Sequence, residues 1–102
     1  MSAPELDIAW DPVKAQANRV KHGVTFAQAA TVLFDPLAVT VFDAAHSQSE
    51  ERWFTLGTSR HGALLAVAHT YQSTGPASAR VRIISARPAT RREREQYQTN
   101  AR

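Results

Sequence analysis

Between Arg52 and Tyr71 the chain reads Arg52-Trp53-Phe54-Thr55-Leu56, a polar break at Ser59-Arg60-His61-Gly62, and then Leu64-Leu65-Ala66-Val67-Ala68-His69-Thr70-Tyr71. Both runs are short and built from residues that favour strands, and the break between them ends on glycine. They predict two antiparallel strands joined by a tight turn. The same pattern extends in both directions. Ala38-Val39-Thr40-Val41-Phe42 precedes the pair across a break at His46-Ser47-Gln48-Ser49, and Arg80 to Ala86 follows it across Ser73-Thr74-Gly75-Pro76. Short polar connections between successive strands imply an antiparallel meander.

Ile8-Ala9-Trp10 reads as an opening strand, and Asp11-Pro12 as a helix start, with aspartate capping and proline in the first turn. This helix runs to about Lys21 or His22 and stops at Gly23. Val13, Ala17 and Val20 recur at helical spacing and are expected to face the core, with Lys14, Asn18 and Lys21 on another side. Thr25-x-x-Gln28 opens a second helix that ends near Asp35-Pro36, and Thr90-x-x-Glu93 opens a third, Arg91 to about Tyr97. The predicted order is β-α-α-β-β-β-β-α. That is a single α+β domain over residues 1–102, with helices packed on a largely antiparallel sheet of about four to five strands.

With 102 residues and 43% apolar composition, the chain suffices for one modest core and not two. It has no cysteine, which excludes disulfides and thiolate chemistry. No apolar run approaches the roughly 18 residues a membrane span requires, and Met1 to Asp7 lacks a signal-peptide pattern, so a cytoplasmic protein is expected. The net charge of +3 is unevenly spread. Residues 80–102 hold seven arginines against Glu93 and Glu95, whereas the first 79 residues hold five basic and seven acidic side chains. Arginine's planar fork suits phosphate, so a polyanionic partner is the natural inference, and a solvated basic tail is the plain alternative.

Several stretches in order resemble the BrnT family of type II toxins. They are Trp10-Asp11-Pro12 with Lys14-Ala15 and Asn18; Lys21 to Phe26; Phe34-Asp35-Pro36; His46-Ser47; Glu50 to Trp53; Leu56-Gly57; Arg82 to Arg87; Thr90 to Arg94; and Tyr97. The resemblance covers nearly the whole chain. It implies a fold related to the RelE and ParE toxins, RNA cleavage that slows growth, and a cognate BrnA-like antitoxin with a ribbon-helix-helix DNA-binding domain. It also implies that the toxin–antitoxin complex binds operator DNA and represses its own operon. The one evident departure is the segment Thr74 to Ser78, which should alter a hairpin tip.

RNA cleavage without a metal uses the 2′-hydroxyl as nucleophile. The enzyme then needs only to move protons and stabilise negative charge on phosphorus. The candidate catalytic residues are Lys21, His22, Glu50, Arg52, Arg82 and Arg87. His22 ends the first helix beside Lys21, a position equally suited to a capping side chain. Alternation puts Glu50 and Arg52 on one strand face, where they could serve phosphate and proton or form an ion pair. Alternation also separates Arg82 from Arg87, so the two can serve one cleft only if the strand bends. His69, in register with Leu65, Val67 and Tyr71, reads as a core residue, and His46 and His61 fall in turns. Lys14, Arg91, Arg92, Arg94 and Tyr97 are candidates for binding RNA. Histidine spacing gives no zinc motif, and the four glycines are isolated, so no metal or cofactor is expected. Two other readings stand beside the ribonuclease. One is a non-catalytic ParE-like inhibitor of a protein such as DNA gyrase, and the other is a nucleic-acid-binding module.

Overall fold

The computed structural model describes residues 5–100. Its elements are β1 (Glu5–Trp10), α1 (Pro12–His22), α2 (Phe26–Val32), β2 (Val39–Phe42), β3 (Arg52–Thr58), β4 (Leu64–Thr70), β5 (Gln72–Gly75), β6 (Ser78–Pro88) and α3 (Arg91–Asn100), with a 3₁₀ turn at Ala44–His46. The sheet runs β1-β6-β4-β3-β2, with β5 also paired to β6. It is antiparallel except at β1, which lies parallel to β6. The α+β class and its chain order are as expected, but the sheet has six strands and not four to five. The extra strand is β5. Ser73, Thr74 and Gly75 read as a polar break, yet Gln72, Ser73 and Gly75 pair with Arg80, Ala79 and Ser78 at the start of β6.

The helix boundaries follow local chemistry. Asp11 accepts a hydrogen bond from the Val13 N–H at 2.9 Å, Pro12 occupies the first turn, and Gly23 closes α1 in the left-handed region at φ 70°. Thr25 accepts from the Gln28 N–H at 3.1 Å, but the Gln28 amide reaches Ser59 instead of closing a capping box. The box is complete at α3: Glu93 N–H donates to Thr90 Oγ1 (3.1 Å) and Thr90 N–H donates to Glu93 Oε1 (2.9 Å).

One face of the sheet carries α1 and α2. Val24, Phe26, Ala29 and Val32 pack there on Leu65, Val67, Ile83 and Ala86, with Trp10 meeting Phe26 edge-on. Gly57 on β3 is tight against this layer, since a Cβ there would lie 2.9 Å from Val32 Cγ1. The other face carries only the inner side of α3, which covers Leu56, Leu64 and Ala66 through Ala89 and Tyr97.

The expected inward stripe on α1 is a correction. Val13 and Val20 are 76% and 79% exposed, and Ala17 is exposed between them. The helix is turned the other way by Asn18, which is buried. Its carboxamide donates to Val24 O (3.0 Å) and Ala86 O (2.9 Å) and accepts from Ala86 N–H (3.0 Å). β1 pairs with β6 only as far as Ile83, so Asn18 satisfies backbone groups that no strand reaches. Leaving those groups unpaired costs more than exposing two valines.

Candidate functional site

The face not covered by α1 and α2 holds the arginines. Pairing of β3 with β4 puts Arg52, Phe54 and Leu56 beside Thr70, Ala68 and Ala66 on this side. On β6, Ala68 pairs with Ser85 and His69 with Ile83, so Ile84 has no residue opposite it. This bulge shifts the alternation by one. Val81, Ile83 and Ala86 stay in the core, while Arg82, Ser85 and Arg87 share the open face. The bulge therefore puts Arg82 and Arg87 on the same face of the sheet.

Thr70 stands between two of these arginines. It pairs across from Arg52, and its Oγ1 accepts from the Arg82 N–H at 3.1 Å. The two guanidinium groups thus spring from backbones roughly 10 Å apart, two strand spacings. Between that row and Arg87 lie two small side chains of the same face, Ala68 and Ser85. The result is a stretch of small side chains with arginines at both ends, beside α3.

The arginines differ in their partners. Arg82 donates to Glu50 from the β2–β3 connection, a partner that sequence alternation assigned to Arg52. Arg87 makes a bidentate pair with Glu93, at 2.7 and 3.0 Å. That pair and the capping bonds outweigh burial and hold the Glu93 carboxyl down at about 2, while Arg87 is raised. Among the described residues, Arg52 has no carboxylate within ion-pair distance, and its Nε is buried without a partner.

The β2–β3 connection also holds a pair that sequence reading did not single out. His46 Nδ1–H donates to Asp43 Oδ2 at 2.9 Å, and His46 remains 65% exposed. Asp43 N–H in turn donates to the Arg52 carbonyl at 2.8 Å, so this pair is anchored at the start of β3. The spacing Asp43-x-x-His46 was visible, but nothing in sequence linked it to Arg52.

The remaining candidates are dispersed. Lys21 and His22 end α1 on the helical side, and Lys14 lies on the same helix. Among the described residues, none of the three side chains bonds to Glu50, Arg52, Arg82 or Arg87. Arg91, Arg92 and Arg94 are exposed on α3, Arg91 facing Glu95 at 3.6 Å. The Tyr97 hydroxyl donates to Asp35 Oδ2 (2.6 Å) and accepts from Thr58 (3.2 Å), so it ties α3 to the sheet. His69 is core, 3% exposed, with Nδ1–H donating to Thr70 O and Nε2 accepting from Thr55. Burial lowers its pKa, and the neutral ring fits this arrangement. Among the described residues, no three His, Cys, Asp or Glu side chains are grouped to hold a metal ion.

Two helices on one face of a largely antiparallel sheet, with arginines and the C-terminal helix on the other, define a RelE-like α+β domain. A family model described as the ribonuclease toxin, BrnT, of type II toxin–antitoxin systems matches residues 10–93, and the chain belongs to that family. The crystal structure of the Brucella abortus ribonuclease toxin, BrnT, is similar, with a TM-score of 0.56 and 25% sequence identity. The match covers 85% of this chain and 99% of that one. No curated protein sequence matches the chain. As a family member it is a ribonuclease toxin of a toxin–antitoxin system.

Proposed function

We propose that this toxin cleaves RNA on the arginine face by attack of the substrate's own 2′-hydroxyl, with no metal in the reaction. The observation that carries this reading is the row Arg52–Thr70–Arg82 beside two small side chains, with Arg87 brought to the same face by the bulge at Ile84. Arg52, free of any carboxylate, grips the scissile phosphate and stabilises its added negative charge. Arg82 holds Glu50, whose carboxylate takes the proton from the 2′-hydroxyl. His46, oriented by Asp43, returns a proton to the leaving 5′-oxygen. Arg87 acts through Glu93 as a positioning residue that fixes the start of α3 beside the arginine face. Arg91, Arg92 and Arg94 extend the phosphate-binding track. Tyr97 ties the same helix to the sheet, and Lys14, Lys21 and His22 lie outside the chemistry.

The family relation implies a cognate antitoxin, and we read it as a BrnA-like protein with a ribbon-helix-helix domain. In this reading the complex occupies operator DNA through the antitoxin. A protein of this class works among nucleic acids, and among the described residues no helix is long and apolar enough to cross a membrane. The test is cleavage of an end-labelled RNA by the purified protein and by Arg52→Ala, Glu50→Gln and His46→Ala. Each variant should lose at least about a hundredfold in rate, the usual loss on removing one charge-stabilising or proton-transfer group. Cleavage unchanged in all three would remove the chemistry from this face.

A further inference from the structure

The outward stripe of α1 is not absorbed by the RNA-cleaving face. Val13, Ala17 and Val20 sit at positions i, i+4 and i+7, the spacing by which one helix seats on another. Asn18 and Ala15 point the opposite way, and three hydrogen bonds lock Asn18, so the helix cannot roll to bury the valines. The charges on α1 are all of one sign. Lys14 and Lys21 flank the stripe on one side and Arg19 stands on the other, while α1 itself contains no acidic residue.

We propose that α1 is a docking surface for an acidic amphipathic helix of a partner protein. Its apolar side covers Val13, Ala17 and Val20, and its glutamates or aspartates meet Lys14, Arg19 and Lys21. A second copy of this chain does not fit, because pairing α1 with α1 sets cations against cations. An RNA strand would satisfy the lysines and leave the valines in water. The proposal rests on the toxin reading only for the bearer of that helix, which would be the antitoxin. Because α1 packs on the side of the sheet away from the arginines, such a helix anchors the partner without itself covering the arginine face.

The test uses the full chain and a synthetic peptide of about four heptads with leucine at the seam positions and glutamate on their flanks. A lysine-flanked twin, an oligouridine and the protein alone complete the set. Fluorescence anisotropy should show the glutamate peptide binding at least about tenfold more tightly than its lysine twin. Val13→Asp/Val20→Asp, or the gentler Val13→Ser/Val20→Ser, should weaken binding by a similar factor with an unchanged circular dichroism spectrum. Failure of the peptide to bind, equal binding by both peptides, or equal binding by wild type and folded variants would overturn the proposal. So would a loss of oligouridine affinity matching the loss for the peptide, or self-association that the valine variants abolish. The RNA-cleavage rate of the valine variants should equal that of wild type. A wild type that cleaves no RNA would sink the toxin reading while leaving the peptide result to stand by itself.

Discussion

At the scale of single residues, two buried polar side chains determine more than most of the core. Asn18 is surrounded by partners that have no substitute: Val24 O, Ala86 O and Ala86 N–H. Asn18→Ala should therefore cost about 3 kcal/mol or more, the sum of several unsatisfied buried groups. Urea denaturation measures it, and a cost below about 1 kcal/mol would contradict the clamp. His69 gives a pH signature. Burial holds its pKa below the ordinary value, so the unfolded chain takes up the proton first as acid is added. The resulting stability is fully present above about pH 6.5 and is lost as pH falls through and below that value. His69→Gln should flatten that part of the stability curve.

At the scale of elements, α3 and the α2–β3 contact carry the predictions. The Arg87–Glu93 pair and the Thr90 cap fix the start of α3, and the Tyr97–Asp35 bond fixes its second half. Glu93 titrates at about 2 in the fold against an ordinary 4.5. Its contribution is therefore complete above about pH 4.5 and disappears as pH falls towards 2. Glu93→Gln should remove that acid-sensitive part and lower stability at neutral pH by about 1 kcal/mol, since both partners remain partly exposed. Where α2 crosses β3, Gly57→Ala drives a methyl group into Val32 and should cost about 1–3 kcal/mol. A thermal melt within a degree of wild type would show that α2 gives way instead. The helix starts and five of the six strands were legible because caps, glycines and β-formers are local signals, whereas β5, Gln72–Gly75, carries no such signal. The bulge at Ile84 was not legible, because no local residue type demands it; it appears only when β4 and β6 are paired. The rotation of α1 was misread for a similar reason, since periodicity weighs apolar area and cannot see Ala86 waiting for Asn18.

At the scale of the whole molecule, the sheet separates two jobs. Its helical side supplies the core, and its other side gathers arginines from β3 and β6. Sequence alone named Glu50, Arg52, Arg82 and Arg87; the sheet brings the three arginines to one face, and Glu50 reaches Arg82 from the β2–β3 connection. Lys21 and His22 end α1 on the helical side of the sheet, a placement that the spacing along one helix could not give because tertiary packing decides which layer a helix end joins. Binding through arginines also predicts that RNA affinity falls steeply with salt, which a titration across ionic strengths would show as a straight logarithmic slope. The most direct measurement is cleavage of a labelled RNA in chelator, with the fragment ends identified by mass. Wild type should yield 2′,3′-cyclic phosphate ends, Arg52→Ala should be slower by at least about a hundredfold, and the Lys21→Ala/His22→Ala variant should retain its rate. Fragments without cyclic phosphate, cleavage that needs an added metal, or an Arg52→Ala protein as fast as wild type would contradict the account.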